Sequence, residues 1–193
     1  MDLKLIKCKR TDSVYQEIRN RHYIPNKGTH GQQMHYKISL DNFVVGIISG
    51  ASSVWAVKAR DNFFGLTKEN KRKGLPSIIN NTVFRLEVHI PNLATKVLAM
   101  WRKKCAQDWL ERYNVTPHGF ETFVIETDYR KGTLYKADNW VYLGKTAGNT
   151  KAHPKGMTQK SERVETIPKL IYAKKYLKQN YLLSMKLLGI NNV

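Results

Sequence analysis

Apolar positions that alternate, or that recur every fourth residue, divide the chain into short strands and a few helices. LKLIKC (3–8) alternates and predicts an opening strand. In residues 11–21, Val14, Tyr15 and Ile18 share one side and Thr11 or Asp12 is placed to cap, which predicts a helix ending near Arg21. Pro25, Gly28 and Gly31 break the next stretch into a loop. MHYKISL (34–40) and FVVGIISGASS (43–53) predict two strands joined at an Asp41-Asn42 turn. Residues 54–74 are mixed, with a short helix expected after Thr67. SIINNTVFRLEVHI (77–90) is β-branched enough for a central strand.

The strongest pattern spans residues 91–114. Pro91 and Asn92 open it, and Leu93, Val97, Trp101, Cys105, Trp109 and Tyr113 recur at i+4, with Leu98 and Leu110 beside them. That is a long amphipathic helix packed on a sheet. GFETFVIET (119–127) predicts a strand, followed by a turn, a short helix at 132–137 and a strand at 140–143. The order predicts an α/β (α+β) single domain, with a mixed, mainly antiparallel sheet flanked by helices. It does not suit a doubly wound parallel sheet. Composition shifts after Gly144, so residues 1–145 are expected to form the domain. Residues 146–193 would be a basic loop and C-terminal extension, with a strand-like IYA and a helical tail, packing on the domain or binding nucleic acid.

Charge changes the picture most. Thirty-three Lys and Arg face 15 Asp and Glu, a net +18. Such an excess predicts attraction to a polyanion, with DNA as the expected partner. Lys58, Arg60, Lys145, Lys151, Lys155, Lys160 and Arg163 are the candidate phosphate contacts, with Trp140, Tyr142, His153, Tyr172 and Tyr176 interleaved among the later ones. Cys8 and Cys105 are too far apart for a zinc ribbon and fit a reducing cytoplasm, that of a host cell. No apolar run approaches the ~20 residues of a membrane span, and the N-terminus does not read as a signal peptide.

The chain has no GxxxxGK[ST], no GxGxxG after a strand, no HExxH and no GxSxG, which argues against nucleotide hydrolysis, dinucleotide redox chemistry and serine hydrolysis. The [RQ]xxGxG acyl-CoA signature of GNAT acetyltransferases is missing too; HIPNLA fills that slot.

Four constellations remain, each with a bland reading beside the chemical one. His22-Tyr23, with His30, His35 and Tyr36 further on, can supply a base, a stacking platform or a metal ligand, or merely cap a helix. Ser49, Gly50, Ala51, Ser52 and Ser53 let a backbone approach a ligand, or form a tight strand exit. Asn80 and Asn81 precede Arg85 and Glu87, where Arg85 either holds an anion or pairs with Glu87. Glu121, Glu126 and Asp128 gather near a strand end beside Tyr129 and Tyr135. A carboxylate there can take a proton from an attacking amine, and Tyr135 can hold a reacting carbonyl. Equally, Glu126 and Asp128 can cap the following helix.

HY at 22–23, SGASSVWAVKARDNFFGL, INNTVFRL, PNLATKVL, ETFV and GTLYKADNWVYLGKT resemble, in order and spacing, the blocks of a domain found in the Druantia anti-phage protein A and in proteins near mobile elements. They are also similar to the phage Mom proteins, which modify adenine in phage DNA. The likeness covers about residues 20–150. It implies a GNAT-like fold with diverged cofactor use. It further implies a transferase placing a small acyl, carbamoylmethyl-type (glycine-like) group on the N6 amine of adenine in DNA, which would protect that DNA from restriction. Carried over, the implicated residues are His22, Tyr23, Tyr135 and an acid for which Glu126 and Asp128 compete. Ser49, Gly50, Ser52, Ser53, Asn81, Arg85 and Asn139 are candidates for substrate contact. The donor would be an aminoacyl-tRNA or an acyl-CoA. Iron has been suggested for this group and could be held here only by His22, Tyr23 and an acid such as Glu126. Two rivals stand beside this reading: a non-catalytic DNA-binding component on the same fold, and a transferase acting on RNA such as tRNA.

Overall fold

The computed structural model describes residues 2–25, 31–53, 57–151, 163–165 and 167–176. One seven-stranded sheet organises them. Its strands are β1 (Leu3–Cys8), β2 (Gln33–Leu40), β3 (Phe43–Ser52), β4 (Ile78–Leu86), β5 (Gly119–Ile125), β6 (Val141–Lys145) and β9 (Lys169–Lys175). A separate two-stranded ribbon pairs β7 (Asn149–Lys151) with β8 (Arg163–Glu165). The order in the large sheet is β1-β2-β3-β4-β5-β9-β6, and every neighbour pair is antiparallel except β4 and β5. The mixed, mainly antiparallel architecture expected from the pattern is the one observed.

Local chemistry explains the punctuation. The β2–β3 hairpin turns on Asp41 and Asn42, both in the left-handed region (φ 47° and 70°), which Asp and Asn tolerate better than other side-chain-bearing residues. Helix α1 (Ser13–Asn20) is capped by Asp12, whose carboxylate accepts from the Tyr15 N–H at 3.0 Å. Helix α4 (Leu93–Tyr113) buries Leu93, Val97, Leu98, Trp101, Cys105 and Trp109 against one face of the sheet. Leu110 is 45% exposed and stands outside that stripe. Fully burying six such side chains contributes roughly 1.5–3 kcal/mol for each large one.

Three elements depart from the sequence expectations. Lys58–Phe64 forms helix α2, ended by Gly65 at φ 67°; residues 67–70 make a turn, and only Lys71–Gly74 (α3) winds a helical turn there. The strand expected to reach residue 90 stops at Leu86, because 87–90 lie exposed beyond the core. The larger correction concerns the C-terminal part. β9 pairs with β5 from Ile125↔Lys169 to Gly119↔Lys175, and β6 pairs with its other edge. Residues 169–175 are therefore an interior strand of the domain and not an appended extension. The helical tail expected after 176 lies outside the described residues. Among those described, no helix is long and apolar enough to cross a membrane.

The parallel pair positions the site. β4 and β5 are in register only at Ile78↔Gly119, Ile79↔Phe120 and Asn80↔Glu121. Both strands then continue, to Leu86 and Ile125, without pairing to each other. At this parting point β4 also bulges: Gly50 pairs with Asn81 and Ser49 with Val83, which leaves Thr82 as the extra residue. A bulge twists a strand sharply and opens local backbone geometry. The sheet is consequently closed at one end of β4–β5 and split at the other.

Candidate active site

The split holds a cavity of about 180 Å³, lined by Tyr23, Phe84, Val124, Tyr129, Arg130, Lys131, Gly132, Thr133, Leu134 and Tyr135. β4 gives Phe84 and β5 gives Val124. The α5 segment (Thr133–Ala137) and the turn before it give the rest, and the chain after α1 reaches over with Tyr23.

Tyr135 is the buried floor. Its hydroxyl donates to Asn81 Oδ1 at 2.8 Å. Asn81 in turn donates to the carbonyls of Ser49 (3.0 Å) and Val83 (3.1 Å), and so spans the bulge. Thr122 donates to the Asn81 carbonyl at 3.1 Å and stands 3.4 Å from the Tyr135 hydroxyl. Burial pushes the Tyr135 phenol well above its ordinary range, so it is a neutral donor at any physiological pH. With its proton held by Asn81, Tyr135 has only lone pairs left to offer.

His22 and Tyr23 stack with ring centroids 4.5 Å apart, and the Arg130 guanidinium sits 4.1 Å over the Tyr23 ring. Tyr23 is thus in contact with both an imidazole and a guanidinium. Burial raises the Tyr23 phenol, against the opposing pull of Arg130 and a backbone hydrogen bond at Ile125. Burial lowers His22 to about 4, assisted by the positive charges of Arg19, Arg85 and Arg130. The Ile24 N–H donates to His22 Nδ1 at 3.1 Å, so the neutral ring carries its proton on Nε2. His22 is thereby a hydrogen-bond donor, with its basic nitrogen already engaged.

The acids do not join this group. Glu126 is exposed beyond β5 and pairs with Lys145 at 2.5 Å, and Asp128 is exposed in the adjoining turn; neither lines the cavity. Tyr23 and Tyr135 line the cavity and His22 stacks on Tyr23, whereas the carboxylate expected beside them faces solvent. Glu126, the acid expected with His22 and Tyr23 for iron, is engaged by Lys145, and among the described residues there is no group of three or more His, Cys, Asp or Glu that could hold a metal ion.

Other expected contacts fall elsewhere. Arg60 is fully buried, bonded to Asp61 at 2.7 Å and Glu121 at 2.9 Å, so it is an internal cation and not a surface phosphate contact. Ser49 is also buried; its hydroxyl meets Tyr15 (2.8 Å) and His35 (3.0 Å) on the α1 side of the sheet. A Cβ on Gly50 would strike Ile79 and Trp101, which places Gly50 against α4. Ser52 sits beside Gly31, and Ser53 donates to the Ile78 carbonyl at 2.9 Å. These small residues serve a packed strand exit. Arg85 bonds Glu87 (2.5 Å) and the Arg21 carbonyl (2.6 Å), the ion-pair reading of that motif. Asn139 is an exposed turn residue at φ 58°, leading into β6. Of the substrate candidates, Asn81 alone touches the site, through Tyr135.

Lys58 and Lys145 are exposed. Lys151 and Arg163 are placed as backbone in the β7–β8 ribbon, while His30, Lys155 and Lys160 lie outside the described residues. Thr122, Arg130 and Lys131 went unnoticed in the sequence as site residues. The available signal was position: Arg130 and Lys131 directly precede the Gly132-Thr133 start of the GTLYKADNWVYLGKT block.

The family model for the Druantia protein DruA matches residues 1–169. The chain belongs to the Druantia protein DruA family. A search of curated proteins finds no match. Solved structures resemble this DruA-family chain in fold. Arabidopsis thaliana NAA60 in complex with acetyl-CoA aligns with a TM-score of 0.54 at 12% identity, covering 90% of this chain and 97% of that one. A Bacillus subtilis acetyltransferase in complex with CoA aligns at 0.51 and 6% identity, covering 91% and 100%. The DruA-family chain therefore has the GNAT acetyltransferase fold.

Both neighbours hold a CoA species, so the corresponding β4–α4 loop is a test of fit. Residues 87–92 contain no glycine, and Pro91 has no N–H to offer a pyrophosphate. Asn92 is left-handed (φ 62°), and the Leu93 N–H is taken by the Ile90 carbonyl. A glycine-lined cradle of amides is not built here, and no step below is routed through CoA.

Proposed function

We propose that this DruA-family chain is a transferase that places a small acyl or glycine-like group on the N6 amine of adenine in DNA, and that the β4–β5 cleft is where it reacts. The observation that carries the reading is a cavity at the parting of those strands, walled by neutral phenols and rimmed by Arg130 and Lys131, in a chain with net charge +18. The cationic excess supplies phosphate attraction through counterion release. The cavity supplies a site for a base taken out of its stack, at a cost of a few kcal/mol.

The exocyclic amine is a weak nucleophile, because its lone pair is delocalised into the ring. Orientation therefore matters more than basicity. The new bond joins N6 to the donor's reactive carbon, and the bond broken joins that carbon to its leaving group, which departs with the amine's proton. His22 Nε2–H and the Tyr23 hydroxyl are donors suited to hold the acceptor carbonyl of the donor group. Tyr135 and Asn81 hold the bulge and the floor in place. The donor is an activated carbonyl compound; an aminoacyl-tRNA suits the chain's charge and the absent CoA cradle.

Mass spectrometry of nucleosides from the DNA and tRNA of cells expressing the chain tests this. A new deoxyadenosine derivative, lost in Tyr23→Phe and His22→Ala but kept in Glu126→Gln, is the expected result. Unmodified DNA and tRNA despite folded expression overturn it. The carboxylate-free cavity favours, as the second reading, a nucleic-acid-binding component without chemistry, and unmodified nucleosides would select that reading.

A further inference from the structure

We infer that the turn at residues 127–130 is a stacking platform for one unpaired nucleobase, with Tyr129 as its ring and Arg130 as its planar cation. This rests on the cleft being the nucleic-acid site. Tyr129 is 96% exposed, although burying a ring of its size is strongly favourable. The turn beneath it is tied twice across its neck. The Thr127 N–H donates to the Arg130 carbonyl at 3.2 Å, and the Arg130 N–H returns to the Thr127 carbonyl at 3.1 Å. Thr127 Oγ1 also accepts from the Arg130 N–H at 3.1 Å. The ring is thus displayed on a constrained tip.

Both flanks of that tip are anchored. On one side Arg130 closes the stack with Tyr23 and His22. On the other, the Tyr172 hydroxyl donates to the Lys131 carbonyl at 3.0 Å, and a Cβ at Gly132 would collide with the Tyr172 ring. Tyr129, Arg130 and Lys131 line the same cavity as Tyr23. An exposed ring, a flat guanidinium and an ammonium at one mouth match a flat ring joined to a phosphate. Within a duplex both faces of each base are covered by neighbours. What stacks on Tyr129 is therefore an unpaired base, either in a single strand or extruded from a duplex.

The test uses the full chain and single-stranded oligonucleotides carrying one 2-aminopurine, whose fluorescence falls on stacking. No donor is present and no product is read. Tyr129→Ala is expected to weaken single-strand binding about tenfold, abolish the quench and leave the salt slope unchanged. Tyr129→Trp should retain both signals. Lys131→Ala should weaken binding and flatten the slope of log K against log salt by about one. Unaltered circular dichroism of Tyr129→Ala establishes that the exposed ring was not structural. Binding by Tyr129→Ala within twofold of the parent, or no quench in the parent, overturns the platform. If nucleosides in cells are unmodified while Tyr129-dependent binding persists, the transferase reading falls and the platform stands.

Discussion

The two ends of the β4–β5 pair make opposite use of polar groups. At the closed end, Glu121 and Arg60 are fully buried and bonded at 2.9 Å, with Asp61 on the other side of the guanidinium and Lys71 beyond it. One residue further along, where the strands part, Asn81 and Thr122 turn to the opposite face and meet neutral Tyr135. The closed end locks charges together, whereas the open end keeps a cavity with no carboxylate side chain in its lining. At the closed end two of the chain's 15 acids, Asp61 and Glu121, are held in internal ion pairs. The cleft is left as a neutral pocket with a cationic rim, an arrangement that suits a polyanion carrying an uncharged base.

If the closed end depends on matched charge, Arg60→Met should give the largest effect. It strands the Glu121 carboxylate, which burial already pushes toward its protonated form, and should cost about 3–5 kcal/mol in urea unfolding. A loss below about 1 kcal/mol would erase the contrast. The neutral character of the aromatic side is tested by pH. His22 and His35 are both lowered to about 4 by burial and nearby arginines. Unfolded histidines take up protons below about pH 6.5 while the folded ones do not, so stability is complete above that pH and falls as pH drops toward 4. On the order of 1–2 kcal/mol per histidine should be lost by pH 5, and His22→Gln and His35→Gln should each flatten the profile.

Tyr135→Phe sharpens the comparison from the open end. Removing the hydroxyl leaves Asn81 Oδ1 without its donor in a buried place, at about 1–2 kcal/mol. The thermal midpoint should fall, and any nucleoside product should fall with it. The smallest effect belongs to Lys145→Ala. Its pair with Glu126 is about half exposed on both sides, and such pairs contribute ~0–1 kcal/mol. Stability and the yield of any nucleoside product should both barely change, as measured by urea unfolding and nucleoside mass spectrometry.

The long helix was legible because Val97, Trp101, Cys105 and Trp109 repeat at the spacing of one helical face. The β2–β3 hairpin was legible because Asp41-Asn42 is turn chemistry. Helix α2 was missed because its buried residues include Arg60 and Asp61, a polar pair that hides its inward face. The place of β9 was missed because a run of lysines masks Leu170, Ile171, Tyr172 and Ala173, which are all buried between two strands. In the site, His22, Tyr23, Tyr135 and the competing acids Glu126 and Asp128 were all named through the resemblance; that Glu126 pairs with Lys145 was not legible, because the two are remote in sequence.

Periodicity, turn residues and composition determined what depends on local sequence: the long helix, the β2–β3 hairpin and the net charge of +18. Long-range contacts decided the rest. Which acids end inside, where β4 and β5 separate and which rings line the gap all depend on residues far apart in the chain, because desolvation and pairing are settled only when distant segments meet.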